Sequence, residues 1–295
     1  MKIILSRKGF DSSMGKVPSP IFPSGELCSL PIPENAPGSH LKRYEEIKFG
    51  HLNLGDLVCD LTQQKINPRE FVHLDPDLIA KSVPRQPGWK PIFGQAEAAE
   101  RHLQNQDVIN GDIFLFYGWF RQVEQYTGIY RYVKNAPDLH VIFGWLQIER
   151  RIPVRNQSEI PLWALDHAHF IRKKHSNPDS IYIATDELQL PGTGMKLSGA
   201  GIFPKFDPVM SLTAPGLTRS RWRLPLSFYP AERKSRLSYH TSLNRWKPQQ
   251  DHVLLNTVGR GQEFVLDCQN YPQAIEWLSN IFSTVFCSQQ NLLAE

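Results

Sequence analysis

Cysteine is scarce in this chain: four in 295 residues, Cys28, Cys59, Cys268 and Cys287, none in a C-x-x-C pair. That excludes the usual paired-thiolate zinc sites and redox dithiols, and makes reduced, mostly buried thiols the expectation. Long hydrophobic runs are missing too. The longest, Ile113 to Phe120, is far too short to span a bilayer, so no membrane partner is expected. After Met1 to Leu5 the chain turns charged at Arg7 and Lys8, which does not fit a signal peptide and points to a cytoplasmic protein. Net charge is only +4, too small to identify a partner by itself. Nucleotide-fold signatures are absent as well. "GFDSSMGK" has Gly9, Gly15 and Lys16, but Val17 stands where a P-loop needs a hydroxyl, and there is no Rossmann fingerprint, nucleoside-deaminase signature or S-adenosylmethionine-type glycine motif.

What the chain has is enough apolar content for a sizeable core, 41%, punctuated by 19 glycines and 23 prolines. This predicts one compact domain over residues 1–295, of α+β class, rich in strand and loop, with a mixed or antiparallel sheet. "VPSPIFPSGELCSLPIPENAPG" should lie across a surface, because proline fixes φ and removes a donor. In "HLDPDLIAKS", Asp75 and Pro76 read as the N-cap and first residue of a short helix. "GQAEAAERHLQNQ" is the clearest internal helix. "GDIFLFYGWF", "HVIFGWLQIERRI" and "SIYIATDEL" read as strands rich in aromatic and β-branched residues. A C-terminal helix of about four turns should begin near Pro272, with Ile275, Leu278 and Phe282 on one face.

Five stretches carry chemistry. In "SRKGFDSS", Arg7 and Lys8 can hold phosphate, Gly9 allows close backbone approach, and Asp11 and Ser12 can serve proton transfer or a ribose hydroxyl; a solvated turn capped by Asp11 is the alternative. Trp89, Tyr117, Trp119 and Trp145 can stack on a base, with core packing as the competing account. "DHAH" gives His167 and His169. On a strand, His-x-His turns both rings to one face, as metal sites require, but the spacing is common by chance. No metal ligand is assigned, and the pair is read as acid-base or phosphate contacts, or as structural. From Thr218 to Lys247 the basic stretch interleaves Arg219, Arg221, Arg223 and Arg245 with Trp222, Tyr239, His240 and Trp246, guanidinium for phosphate and rings for bases. Finally, "GRGQEFVLDC" presents Arg260 and Gln262, then Glu263 and Asp267 on one strand face, where a half-buried carboxylate could reach general-acid range.

Two resemblances follow. Residues 89 to 152, a helix, the Gly111-Asp112 turn and strands ending in aromatics, look like the small β-barrels of the PUA and EVE type, which implies binding of RNA or modified bases. As a set, "SRKGFDSS", "PSPIFPSGELCSLPIPE", "GDIFLFYGWFR", "HVIFGWLQ" and "RGQEFVLD" resemble the bacterial nucleotide modification associated domain 3 family over nearly the whole chain. That resemblance implies association with nucleotide or DNA base modification, without a settled mechanism or known cofactor. Its matching positions are Arg7, Lys8, Gly9 and Asp11 at the front, and Arg260, Gly261, Gln262, Glu263 and Asp267 at the back. Where the family reads His-Pro-His, this chain has His167-Ala168-His169, which puts in doubt any role that needs a stiff turn.

The expected function is an enzyme acting on a nucleotide or on a base in nucleic acid, DNA or RNA. Arg7, Lys8 and the later arginines would hold phosphate, and Asp11 with Glu263 would do acid-base work. The alternative is a non-catalytic reader of a modified base. The opening and closing motifs are expected to meet, with Asp11 and Glu263 in one pocket and Arg7 or Lys8 beside Arg260.

Overall fold

The computed structural model describes residues 1–34, 41–171, 177–191, 195–230, 237–259 and 263–292, with side chains through 287. In chain order come β1 (Lys2–Arg7), β2 (Ser19–Ile21), β3 (Lys48–Phe49), β4 (Leu52–Asn53), α1 (Leu54–Leu61), β5 (Ile92–Ala96) and α2 (Glu97–Asn105). They are followed by β6 (Ile113–Tyr126), β7 (Ile129–Tyr132), β8 (Leu139–Pro153), α3 (Ala168–Ile171), β9 (Asp179–Ala184) and β10 (Ala200–Ile202). The last third adds β11 (Arg221–Pro225), β12 (Trp246–Pro248), β13 (His252–Asn256), β14 (Glu263–Asp267) and α4 (Gln273–Leu292). The protein is α+β, as its composition implies.

The main sheet runs in the order β14-β1-β6-β8-β9-β5, with β2 and β7 also paired to β6 and β10 to β8. β1 lies parallel to β6 and antiparallel to β14. Its consecutive residues Ile3, Ile4, Leu5 and Ser6 are all buried. A strand paired on both edges and covered on both faces needs such a continuous apolar run. The same holds for β6, buried without alternation from Ile113 to Gly118.

This sheet curls until its two end strands face each other. Phe93 on β5 packs against Phe114 and Phe116 on β6, ring centroids 4.9 and 5.2 Å apart, and Lys8, just past β1, lies 4.4 Å from the Phe93 ring centroid. Gln95 on β5 donates to Glu263 on β14. No backbone ladder joins β5 to β14 among the described residues. The sheet therefore remains open, and the segment expected to resemble a small barrel, residues 89 to 152, is one part of a curl that also draws on both ends of the chain. A separate sheet, β11-β13-β12, packs against β6 and β14. Its anchor is Trp222, which meets Tyr117 at 5.1 Å and Phe264 at 5.9 Å.

Three local expectations change. The proline-rich passage does not merely lie on a surface, because Ser19–Ile21 pairs with β6 and is buried throughout. Pro20 is tolerated because β2 is an edge strand, where a missing N–H need not face a partner. Asp75 caps no helix, since the next helical turn is a 3-10 segment at Ala80–Ser82. Asp75 is instead drawn inward by the Gly94 N–H. The C-terminal helix is longer than four turns, and its buried face of Leu278 and Phe282 packs on the main core.

Candidate functional site

β1 delivers three neighbouring side chains to two different places. Successive strand residues point to opposite faces, so Arg7 goes outward while Ser6 and Lys8 go into the curl. Beyond them Gly9 has φ +80°, and a Cβ there would lie 2.7 Å from Ser29 Oγ. Glycine is what lets this loop turn back so closely. Asp11 Oδ1 then accepts the Ser13 N–H and hydroxyl at 2.7 Å each and the Met14 N–H at 2.8 Å. Burial opposes ionisation of Asp11, but these donors outweigh it and hold the carboxyl below its ordinary range, with Arg7 helping. Asp11 is a carboxylate at neutral pH.

Arg7, Asp11 and Ser12 line an open cleft of about 660 Å³ with Trp119, His140 and Arg219. The Arg219 guanidinium lies 4.0 Å over the Trp119 ring and donates to Ser12 Oγ. Burial lowers the Arg219 pKa, opposed by Asp138, yet a guanidinium stays charged throughout the physiological range. Asp11 is the single acid among the lining residues, so two cations face one anion. The Trp119 indole N–H is buried without an acceptor among the described residues. His140 Nδ1 accepts the Trp222 indole N–H at 3.0 Å. Burial, then Arg219 and Arg7, push the His140 pKa down to about 3, so the ring is neutral. The cleft offers a planar stacking surface and fixed positive charge, which together suit an anionic ligand carrying a flat ring.

Inside the curl, Lys8 Nζ lies 3.0 Å from Glu263 Oε1, with the two side chains 9% and 1% exposed. Ser6 pairs with Glu263, and Gln95 with Ser180, in their ladders, so all these side chains share the inner side. Glu263 Oε2, Ser6 Oγ and Ser180 Oγ are buried with no hydrogen-bond partner among the described residues. Each such atom costs about 1–3 kcal/mol if left unmet, so this is hydrogen-bonding capacity that the described residues do not use. At the edge, His102 Nε2 is 2.9 Å from Ser238 Oγ. Burial lowers the His102 pKa against the pull of Glu263.

A third cluster lies on the other side of β5. Asp75 Oδ1 accepts the Gly94 N–H at 2.8 Å and lies 3.3 Å from His167 Nε2. Asp75 Oδ2 lies 3.7 Å from His73 Nε2 and 3.8 Å from His169 Nε2. His73 Nδ1 is 3.2 Å from Glu34, and His169 Nδ1 is 2.6 Å from Asp179. A Cβ on Gly94 would sit 2.3 Å from the His169 ring, so only glycine leaves room for it. Burial raises the Asp75 pKa, but His167 and His73 outweigh it and hold the carboxyl well below its usual range. Burial lowers the His169 pKa, with Asp179 and Asp75 opposing. The donor atoms of His73, Asp75 and His169 lie within 4.8 Å of one another, close enough to hold a metal ion.

The remaining sequence-singled residues fall outside these clusters or support them. Trp145 is buried among Phe203, Phe282 and Phe286, and its N–H donates to the Ser198 carbonyl. It is a core side chain with no face free to stack. Trp222 is fully buried while Arg221 and Arg223 flank it on the outer side of β11, so the basic-aromatic interleaving there is the period-two pattern of a strand. His240 is buried and accepts the Val258 N–H at 3.2 Å, bracing the cleft wall. Tyr239 stacks on His102, and Arg245 donates to the Asn256 carbonyl. Asp267 caps the turn after β14 through the Gln269 N–H. Arg260 and Gln262 lie outside the described residues. Lys8 and Glu263 meet, whereas Asp11 faces the cleft, and Glu263 is not among its lining residues. His73, Asp75, Glu34 and Asp179 were missed by sequence reasoning, although the His-Leu-Asp and His-Ala-His spacings, each with its polar pair two apart, were the available signal.

No curated protein and no solved structure matches this chain. The family model of nucleotide modification associated domain 3 matches residues 2–267 of the 295, from the strand that ends at Arg7 to the strand that carries Glu263, and the chain belongs to that family, which ties it to nucleotide modification.

Proposed function

We propose that the protein is an enzyme that modifies a nucleotide, or a base within DNA or RNA, and that it binds this substrate in the cleft between Arg7, Trp119 and Arg219. Phosphate lies against the two guanidiniums, and the base stacks on the ring system that Arg219 and Trp119 form. Asp11, held ionised, is the group in the cleft able to take a proton or a ribose hydroxyl. The observation that carries this reading is the pair of arginines and the Trp119 ring in one open cleft of a chain from this family. Lys8 and Glu263 fix the end of β1 from the inside and so set where Arg7 stands.

A second reading, a reader of a modified base without catalysis, is favoured by the three hydrogen bonds that tie Asp11 into its own turn. Mass spectrometry of nucleosides from DNA and tRNA of cells with the wild-type chain, the Asp11→Asn variant or no gene separates the two. A modified nucleoside that depends on the wild-type chain and disappears with Asp11→Asn supports the enzyme. Identical nucleoside profiles in all three, together with tight binding of oligonucleotides, would replace it with the reader.

A further inference from the structure

We infer that His73, Asp75 and His169 bind one divalent first-row transition cation, of which Zn²⁺ is the best chemical match. The inference goes beyond nucleotide binding in the cleft and does not depend on it. Two imidazoles and a carboxylate are the borderline donor set that such ions prefer.

The orientation of each donor argues for an ion. A proton on His73 Nδ1 shared with Glu34, and one on His169 Nδ1 shared with Asp179, leave the Nε2 lone pair of both rings directed at Asp75 Oδ2, 3.7 and 3.8 Å away. A cation placed among these atoms would be held by both ring nitrogens and the buried carboxylate oxygen together. The outer partners are those that metal-binding histidines need, a carboxylate on the far nitrogen of each ring. The carboxylate is oriented too. Oδ1 accepts the Gly94 N–H, and His167 Nε2, turned towards Asp75 because His167 Nδ1 accepts the His169 N–H, lies 3.3 Å from the same oxygen without a hydrogen-bond partner among the described residues. Oδ2 is left for the ion, and His167 becomes a positioning residue rather than a ligand. Metal–ligand distances near 2.0–2.2 Å bring tetrahedral donors to roughly 3.4 Å from one another, so the two spacings to Asp75 Oδ2 need to contract by a few tenths of an ångström, and the whole set lies within 4.8 Å.

Two small cavities lie beside the cluster. A cavity of about 60 Å³ is lined by Asp75, and another of about 40 Å³ by His167. Either has room for water, so three protein ligands would leave a fourth position for solvent or substrate, the arrangement of open rather than purely structural sites.

The test is the metal content of the full chain. Protein from zinc-supplemented cells, dialysed against metal-free buffer, is analysed by elemental mass spectrometry. Co²⁺ is then titrated into metal-stripped protein and followed by its visible absorption. The expected result is about one zinc per chain and a saturable cobalt band that is lost in Asp75→Asn and His169→Gln. In Asp179→Asn the ion should bind about 10–100-fold more weakly. Circular dichroism confirms that each variant is folded, and the wild-type measurement needs no variant at all. Folded wild-type protein that takes up neither zinc nor cobalt overturns the inference, as does uptake unchanged in folded His169→Gln.

Discussion

Replacing Lys8 with methionine tests whether the opening and closing motifs form one unit. Lys8 and Glu263 are 255 residues apart in sequence and 3.0 Å apart in space, with side chains 9% and 1% exposed. In Lys8→Met the Glu263 carboxylate stays buried and keeps the Gln95 side-chain donor. Breaking a buried pair from one side typically costs about 3–5 kcal/mol, because a charge is left uncompensated. Glu263→Gln strands the lysine instead, but Lys8 is less buried and retains the face of Phe93 at 4.4 Å. Its cost should be smaller, about 1–3 kcal/mol. The double variant removes both charges and should cost less than the sum of the two, by a coupling of about 1–3 kcal/mol. Urea denaturation of all four proteins at one pH gives the cycle directly. Additive losses would mean that the contact carries no energy, and the joining of β1 to β14 would then rest on the ladder alone.

Three further outcomes follow. His140 has a pKa near 3 when folded against about 6.5 when unfolded, so the unfolded chain takes the proton first. Stability is therefore whole above about pH 6.5 and is lost as the pH falls towards 3, by about 2 kcal/mol at pH 5. His140→Asn keeps an acceptor for the Trp222 N–H and cannot be protonated; its urea midpoint should fall less between pH 7 and 5 than the wild type's, and an equal fall would refute the assignment. Trp145→Ala should cost about 3–5 kcal/mol of stability with nucleotide affinity unchanged at a temperature where it is folded, and an affinity loss would restore the ring as a stacking platform. Gly94→Ala puts a methyl group where the His169 ring stands, so it should lower thermal stability and move the His169 ring resonances in NMR; unshifted resonances would show that the ring is not held there.

The sequence made the frame legible wherever burial leaves a mark on composition. Continuous apolar runs at Ile3 to Leu5 and Ile113 to Tyr117 suit strands covered on both faces, and that is where the central sheet lies. That the opening and closing motifs meet was also legible, from complementary charges on two short strands, but the expected partner was not: Glu263 meets Lys8 and does not share the cleft with Asp11. The histidine cluster was not. Asp75-Pro76 has the same two residues as a helix cap, and nothing local distinguishes a cap from a carboxylate drawn in by the Gly94 N–H. His73 and His169 are 96 positions apart, and only the fold decides that the His73 loop and α3, which carries His169, close on the same strand. The stretch around Trp222 misleads for a different reason. Arginines alternating with an indole suit a nucleic-acid surface and an amphipathic strand equally, and it is the depth of Trp222 that selects the strand.

The most direct measurement of the central claim is calorimetric binding of nucleoside monophosphates and a short single-stranded oligonucleotide to the wild type, Arg219→Ala and Arg7→Ala, at two salt concentrations. Saturable wild-type binding should weaken with salt, and each substitution should cost about 1–3 kcal/mol, the worth of a hydrogen bond to a charged group. Binding that neither substitution changes would place the ligand elsewhere and contradict the cleft assignment.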